Sequence, residues 1–188
     1  MFIKRAQTGF TLIEVIIFIV IVGAALAGVL SVLNITTKAS ADPMIRKNML
    51  AIAESLLEEV QLQPFTWCDP DDVNAAMATA YGACATVQNT AAGKVGETRG
   101  SITSPLDNVL DYNGLNDIKT NITGAAMPTG YSASIAVAAS VLNDITTADA
   151  SLLITVVVCH ATTCNQSSTG DVISLQGYRT RYSPNTLP

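Results

Sequence analysis

The sequence predicts an α+β protein, in which a long N-terminal helix is followed by a small antiparallel β-sheet. Three observations support this fold class. An apolar run extends from Phe10 to Leu33, apolar residues recur at helical spacing between residues 43 and 63, and several segments after residue 130 alternate between apolar and small polar residues. The first two patterns are typical of a membrane helix and an amphipathic helix, and the third is typical of half-buried strands.

The apolar run Phe10–Leu33 carries a single charge, Glu14. About 20 apolar residues suffice for a helix to cross a bilayer core of roughly 30 Å, and a single span in lipid must satisfy its own backbone hydrogen bonds. Lys4 and Arg5 precede the run, which places the N-terminus in the cytoplasm and the rest of the chain outside. A cleaved secretory signal peptide is disfavoured because its apolar region is shorter, roughly 7–15 residues, and because no small-x-small site closes this run.

An amphipathic helix is predicted from Pro43 to Gln63. Asp42 is a suitable N-cap, Pro43 suits the first helical turn, and Pro64 marks the end. The helix is expected either to continue the membrane helix through a kink at Pro43 or to restart there after a break. Its predicted apolar face consists of Ile45, Met49, Ile52, Leu56 and Val60.

The four cysteines all lie on the side predicted to be extracytoplasmic, where disulfides are expected. Four cysteines allow three pairings, and we favour Cys68–Cys84 with Cys159–Cys164 because each pair closes a short loop. A four-cysteine zinc site is disfavoured by this spacing and by the compartment.

Residues 69–121 are rich in Ala, Gly, Asn, Asp and Thr, and we expect loops there with a short helix over Asp71–Ala80. The acidic stretch Asp107–Asp117 raises the question of calcium binding. It does not match an EF-hand loop, because Val109 stands where a ligand is required and no Glu closes the loop. Asx-turns account for the same composition, and we expect no metal site.

Three strands are predicted near the end of the chain, and their short links imply an antiparallel meander. The lone His160 falls in the turn between the second and third strands, where we expect a surface residue. The apolar positions of the first two strands are Tyr131, Ala133, Ile135, Val137, Ala139 and Val141, then Leu152, Ile154, Val156 and Val158; the third runs from Val172 to Tyr182.

The junction Lys-Arg-Ala-Gln-Thr-Gly-Phe-Thr-Leu-Ile-Glu at residues 4–14 resembles the prepilin signal of type IV pilins and type II secretion pseudopilins. The resemblance implies that an inner-membrane aspartic peptidase cuts between Gly9 and Phe10 and methylates Phe10. It also implies a leader (1–9), a transmembrane and assembly helix (10–33), a helical stalk (34–63) and an extracytoplasmic head (64–188). In this family the stalk packs on a sheet of the head.

The position of Glu14 in the apolar run also predicts a role for it on physical grounds, independently of this resemblance. A carboxylate within a membrane helix costs roughly 2.5–3.5 kcal/mol on insertion scales, so it needs a partner. Cleavage after Gly9 creates a cationic amine at Phe10, and in a bundle of subunits that amine can reach Glu14 of a neighbour. Pairing offsets the cost only in register, so we expect Glu14 to select correctly staggered subunits. The alternative is an interfacial glutamate that reaches water.

The chain is also similar to the MshD-type minor pilins of mannose-sensitive haemagglutinin (MSHA) pili, which implies a low-abundance subunit that helps to prime or cap a pilus. Ser31 departs from major pilins, which carry a helix-breaking proline at that position. The similarity rests on Ala41–Met44, Ala51–Glu59, Pro64–Pro70, Asp107–Val109 with Asp111-Tyr112, and Gly177–Tyr182.

These patterns favour a structural protein of the bacterial inner membrane, and then of the pilus or cell surface, over other classes. A net charge of −5 without a basic cluster excludes a nucleic-acid binder, and a single histidine with no catalytic set disfavours a membrane-tethered periplasmic enzyme. We expect no catalytic residue and no cofactor. The implied partners are the prepilin peptidase, other major and minor pilins, the inner-membrane assembly platform and, before assembly, membrane lipid. A pseudopilin of a type II secretion machine remains the alternative.

Overall fold

The computed structural model describes residues 9–89, 96–145, 147 and 150–181, with the backbone alone for residues 34–42. Residues 1–8 of the expected leader, and Tyr182 at the expected end of the last strand, lie outside the described residues. Apart from two single-turn 3₁₀ helices, the regular elements are helix α1 (Leu12–Leu62) and strands β1 (Leu115–Ile118), β2 (Ser132–Ala139), β3 (Ser151–Cys159) and β4 (Val172–Thr180).

Helix α1 is 51 residues long and includes Pro43. Of the two alternatives expected at Pro43, continuation of the membrane helix is therefore observed, and a restart after a break, with Asp42 as N-cap, is wrong. Proline in a helix interior removes one hydrogen bond and costs about 3 kcal/mol, but its φ is already helical and a strong helix-forming sequence follows it from Met44 to Val60. The C-terminal end agrees with the prediction, since α1 ends at Leu62 and Pro64 disfavours helical geometry at the residue before it.

The chain divides into two compact units, Met1–Met44 and Ile45–Pro188, which we describe separately. The second, here called the head unit, contains the last part of α1 and the whole sheet. Its core forms where α1 packs on the sheet, and the fold is α+β with the pilin-like order of a long helix followed by an antiparallel sheet. On α1 the fully buried side chains are Met49, Ala53, Leu56 and Val60, whereas Ile45 and Ile52 are only partly buried at the edge of the core.

The sheet is an antiparallel meander in the order β1-β2-β3-β4. Ile135 of β2 lies opposite Val156 of β3, and Ile154 of β3 lies opposite Gly177 of β4. A Cβ atom added to Gly177 would meet the flexible Gln61 side chain and would lie 3.1 Å from Leu57 Cδ1, so α1 passes close to this edge of the sheet. The three predicted strands are confirmed.

Two sequence-based expectations fail between residues 69 and 121. Strand β1 was not predicted. The helix expected over Asp71–Ala80 is wrong, because this stretch is a series of turns. Asp69 Oδ1 accepts the Asp71 N–H and Asp72 Oδ1 accepts the Asn74 N–H, each at 2.8 Å. These Asx-turns use donors and backbone conformations that a helix would need.

Candidate functional site

The N-terminal candidate site is the segment that runs from Gly9 into the first turn of α1. Gly9 and Phe10 precede the helix, which begins at Leu12. Thr11 acts as the cap: its carbonyl accepts the N–H groups of Glu14 and Val15 at 3.1 and 3.3 Å, and its hydroxyl lies 3.4 Å from the Glu14 nitrogen. The sequence therefore places a non-helical Gly-Phe step directly before a capped helix.

The helix that follows this step begins with an exposed apolar surface. Residues Leu12–Leu33 have a mean hydropathy of 3.0, are long enough to cross a membrane, and bury none of that surface within the chain. Phe10 is 84 % exposed, and Glu14 is exposed on the same surface. We call Leu12–Leu33 the apolar span. An apolar surface of this size requires lipid or other helices as its environment.

Phe10, Glu14 and Phe18 line one shallow surface depression in this unit. The structure therefore brings together two of the predicted site residues, Phe10 and Glu14, with Gly9 directly before them. A carboxylate on this surface, one helical turn from the backbone nitrogen of Phe10, is suited to bind a cation that lies at the same depth in a bundle of helices.

Two disulfides lie in the head unit, Cys68–Cys84 and Cys159–Cys164. The first joins the chain just after α1 to a later loop. An isolated antiparallel β-bridge between Cys68 and Val87 pairs the same two segments through their backbones. The second closes the turn after β3. His160 lies exposed in that turn, with its ring 5.0 Å from the ring of Tyr131.

A second candidate site in the head unit is an acidic cluster, defined here as Asp69, Glu97 and Asp107. One carboxylate oxygen from each residue lies within 4.8 Å of the others. Asp69 and Glu97 are buried and Asp107 is half-buried. Asp111 adjoins the cluster and is fully buried. Carboxylates at such distances repel one another strongly unless a proton or a cation lies between them.

Local structure positions Asp69 and the neighbouring Asp111. The segments 67–69 and 86–88 pair through the hydrogen bonds from Asp69 N to Thr86 O (3.1 Å) and from Gln88 N to Trp67 O (3.2 Å). Asp111 and Asn108 form a capping box around one 3₁₀ turn, with Asn108 N donating to Asp111 Oδ2 at 2.6 Å. The Gln88 amide nitrogen donates to Asp111 Oδ1 at 2.7 Å and lies 3.4 Å from Asp69 Oδ2.

The pKa values in this site are raised by burial and by like charges. Burial raises the pKa of Glu97 to about 9, and Asp111, Asp69 and Asp107 add to the effect. Burial and the nearby Asp111, Asp69 and Asp71 raise the pKa of Asp107 to about 6. Burial also raises the pKa of Asp111. The protein therefore concentrates acidic groups in a place that disfavours their charged forms.

The stretch Asp107–Asp117, on which the sequence-based question of calcium rested, does not form one site. Asp117 lies elsewhere, with Oδ1 accepting the Cys164 N–H at 2.6 Å. Asp107 instead meets Asp69 and Glu97, which sequence reasoning missed. Their spacing in the sequence follows no metal-binding motif.

Comparison with known proteins gives one match, confined to the N-terminal segment. Residues 4–30 match the prokaryotic N-terminal methylation motif. No curated protein and no solved structure gives a significant match to the chain. The motif indicates a type IV pilin-like or pseudopilin protein, and it implies processing by a prepilin peptidase and assembly with other pilins. The apolar span that follows the Gly-Phe step fits anchoring in a membrane.

Proposed function

We propose that the chain is a minor pilin of an MSHA-like type IV pilus. It is cut between Gly9 and Phe10, methylated at Phe10, and inserted by its apolar span into a filament or its initiating complex, with roles in pilus assembly and in adhesion or motility. One observation carries the proposal: an exposed apolar helix, with its single carboxylate in the first turn, directly follows a Gly-Phe step inside a methylation motif. The MSHA-like assignment is supported by the sequence similarities described above.

Glu14 is the proposed assembly residue. Before assembly, its carboxylate costs free energy in the bilayer unless it reaches the headgroups. In a filament, the processed amine of a neighbouring subunit pairs with it, and the pairing is favourable only when the two helices are correctly staggered. Glu14 therefore contributes specificity of register more than overall stability.

Processing is tested by co-expression with a prepilin peptidase, followed by mass measurement of the purified chain. We expect loss of residues 1–9 and one methyl group on Phe10. Gly9→Val should keep its full length although it still inserts in the membrane, because a branched side chain replaces the residue before the cut. Gly23→Ala, within the apolar span, should be processed normally. A wild-type chain that stays uncut, or that is cut after Leu33, would refute the proposal.

The assembly role is tested by comparing Glu14→Ala with Glu58→Ala in sheared filaments and in the membrane fraction. Both variants remove one exposed glutamate from α1, but only Glu14 lies in the apolar span. Glu14→Ala should insert and be processed normally, yet its incorporation should fall by about tenfold or more, as expected for a lost ion pair in an apolar environment. Normal incorporation of Glu14→Ala would contradict the role given to this residue.

A pseudopilin of a type II secretion machine is the alternative, because the methylation motif is shared by both systems. A deletion strain distinguishes them. The proposal requires that loss of the chain reduces surface pili and leaves secreted enzymes unchanged, whereas loss of secretion alone would favour the pseudopilin.

A further inference from the structure

We propose that the head unit contains a Ca²⁺ site in which Asp69, Glu97 and Asp107 supply carboxylate ligands. The site lies outside the apolar span and does not depend on the proposed function. Its ligands come from three separate stretches of the chain.

The spacing of the ligands fits calcium. Ca²⁺ binds oxygen at about 2.3–2.6 Å, so two oxygens on opposite sides of one ion are about 4.6–5.2 Å apart. The three carboxylate oxygens of the acidic cluster all lie within 4.8 Å of one another. They can therefore bind one ion together without a large movement of the backbone. Mg²⁺ dehydrates reluctantly and usually keeps several waters, so a partly buried cluster of carboxylates suits it less well.

Unsatisfied polar atoms are the second, independent observation. Glu97 is only 6 % exposed, its Oε2 atom is buried, and that atom accepts no hydrogen bond from the described residues. The same holds for Oδ1 of Asp107 and for Oε1 of Gln88, whose side chain is fully buried. A buried polar atom without a partner lowers the stability of the fold by about 1–3 kcal/mol, and by more when it is charged. A bound ligand would remove this cost.

The neighbouring carboxylate oxygens do have hydrogen-bond donors, so the lack of donors is confined to a few atoms. Asp69 Oδ1 accepts the Asp71 N–H, and both oxygens of Asp111 accept hydrogen bonds, from Gln88 and Asn108. The fold therefore supplies hydrogen-bond donors to Asp69 and Asp111. It leaves Glu97 Oε2 and Asp107 Oδ1 without them. A cation at the acidic cluster would satisfy these atoms.

An open cavity of about 210 Å³ adjoins the cluster and gives an ion access from solvent. It is lined by Asp69, Asp71, Thr86, Glu97 and Ser104, so further oxygen atoms and water are at hand to complete the six to eight ligands that calcium requires. The donors are oxygens throughout, and all four cysteines are in disulfides. This donor set favours a hard cation over zinc or copper.

The test uses the processed full-length chain in non-ionic detergent, with Ca²⁺ binding measured by calorimetry and thermal unfolding followed by the fluorescence of Trp67. Trp67 is the single tryptophan and lies beside the site. We expect one ion per chain and a melting temperature several degrees higher in millimolar Ca²⁺ than in EDTA, since a ligand that binds the folded state stabilises it by mass action. Mg²⁺ at the same concentration should have a smaller effect.

Glu97→Gln and Asp107→Asn are the informative variants, and Glu54→Gln, on the exposed face of α1, is the matched control. Each cluster variant should weaken Ca²⁺ binding by about tenfold or more, whereas Glu54→Gln should leave it unchanged. Equal melting of the wild type in Ca²⁺ and EDTA would overturn the proposal. So would Ca²⁺ binding of wild-type strength in both cluster variants.

Discussion

Two parts of α1 have the same backbone structure and opposite surroundings. In the apolar span, Leu12–Leu33, the apolar side chains lie exposed. From Ile45 to Leu62, one face is buried against the sheet of the head unit. The difference shows where each part finds its partners. The head unit is stabilised by contacts within the chain, whereas the apolar span depends on lipid or on other subunits.

The strongest test of this comparison replaces one leucine in each part. Leu56 is fully buried in the core and Leu30 is 61 % exposed in the apolar span. Leu56→Ala should destabilise the head unit by about 2–5 kcal/mol, because it removes apolar contacts and leaves a cavity. Leu30→Ala should leave the unfolding of the head unchanged. Denaturant titration in detergent, followed by Trp67 fluorescence, measures both.

Equal losses of stability in the two variants would mean that the apolar span takes part in the fold of the head, contrary to the difference described above. Leu30→Ala should instead weaken the oligomeric or filament state, because the exposed Leu30 side chain is expected to pack against other subunits there.

The two disulfides of the head unit close loops of different length. The pair Cys68–Cys84 is separated by 16 residues in the sequence and Cys159–Cys164 by 5. If each acts mainly by restricting the unfolded chain, removal should cost about 3 kcal/mol for the first and about 2 kcal/mol for the second. Double alanine variants of each pair, unfolded in the same detergent, provide the measurement. A larger loss from the shorter loop would show that native packing dominates.

The regular elements could be predicted because their patterns are local. Helical spacing near Leu56 and alternation around Ile135 and Ile154 follow from burial of one face, and those elements are present in the structure. At Pro43 the sequence left both a break and a continuous helix open, and the helix is continuous, because proline has a helical φ and strong helix-forming residues follow it. Strand β1 was missed because Leu115–Ile118 is only four residues long, with a residue at positive φ, Asp117.

The two candidate sites differ in the same way. The N-terminal site could be predicted because Gly9, Phe10 and Glu14 are close in sequence and share one segment. The acidic cluster could not be predicted, since Asp69 and Glu97 meet Asp107 only after the loops between α1 and β1 have folded. The Asx-turns near Asp69 and the capping box at Asn108 are local features, but no local pattern indicates that they converge.

The raised pKa values of the acidic cluster lead us to expect a pH dependence of stability in the head unit. The pKa of Glu97 is raised from 4.5 to about 9, and that of Asp107 from 3.8 to about 6. The folded state therefore holds protons that the unfolded chain has released. Stability from these groups is fully present below about pH 4 and is lost as pH rises, towards pH 6 for Asp107 and towards pH 9 for Glu97.

Melting of the wild type in EDTA should accordingly occur at a falling temperature between pH 5 and pH 9, within the range set by these two pKa values. Glu97→Gln should flatten this dependence because its side chain carries no titrating proton, whereas Glu54→Gln should leave it unchanged. Saturating Ca²⁺ should also flatten the dependence, since a metal ion replaces the proton at the carboxylates. A slope in Glu97→Gln as steep as in the wild type would assign the effect to other groups. It would also remove the reason for treating the head as a unit whose stability depends on its own buried charges.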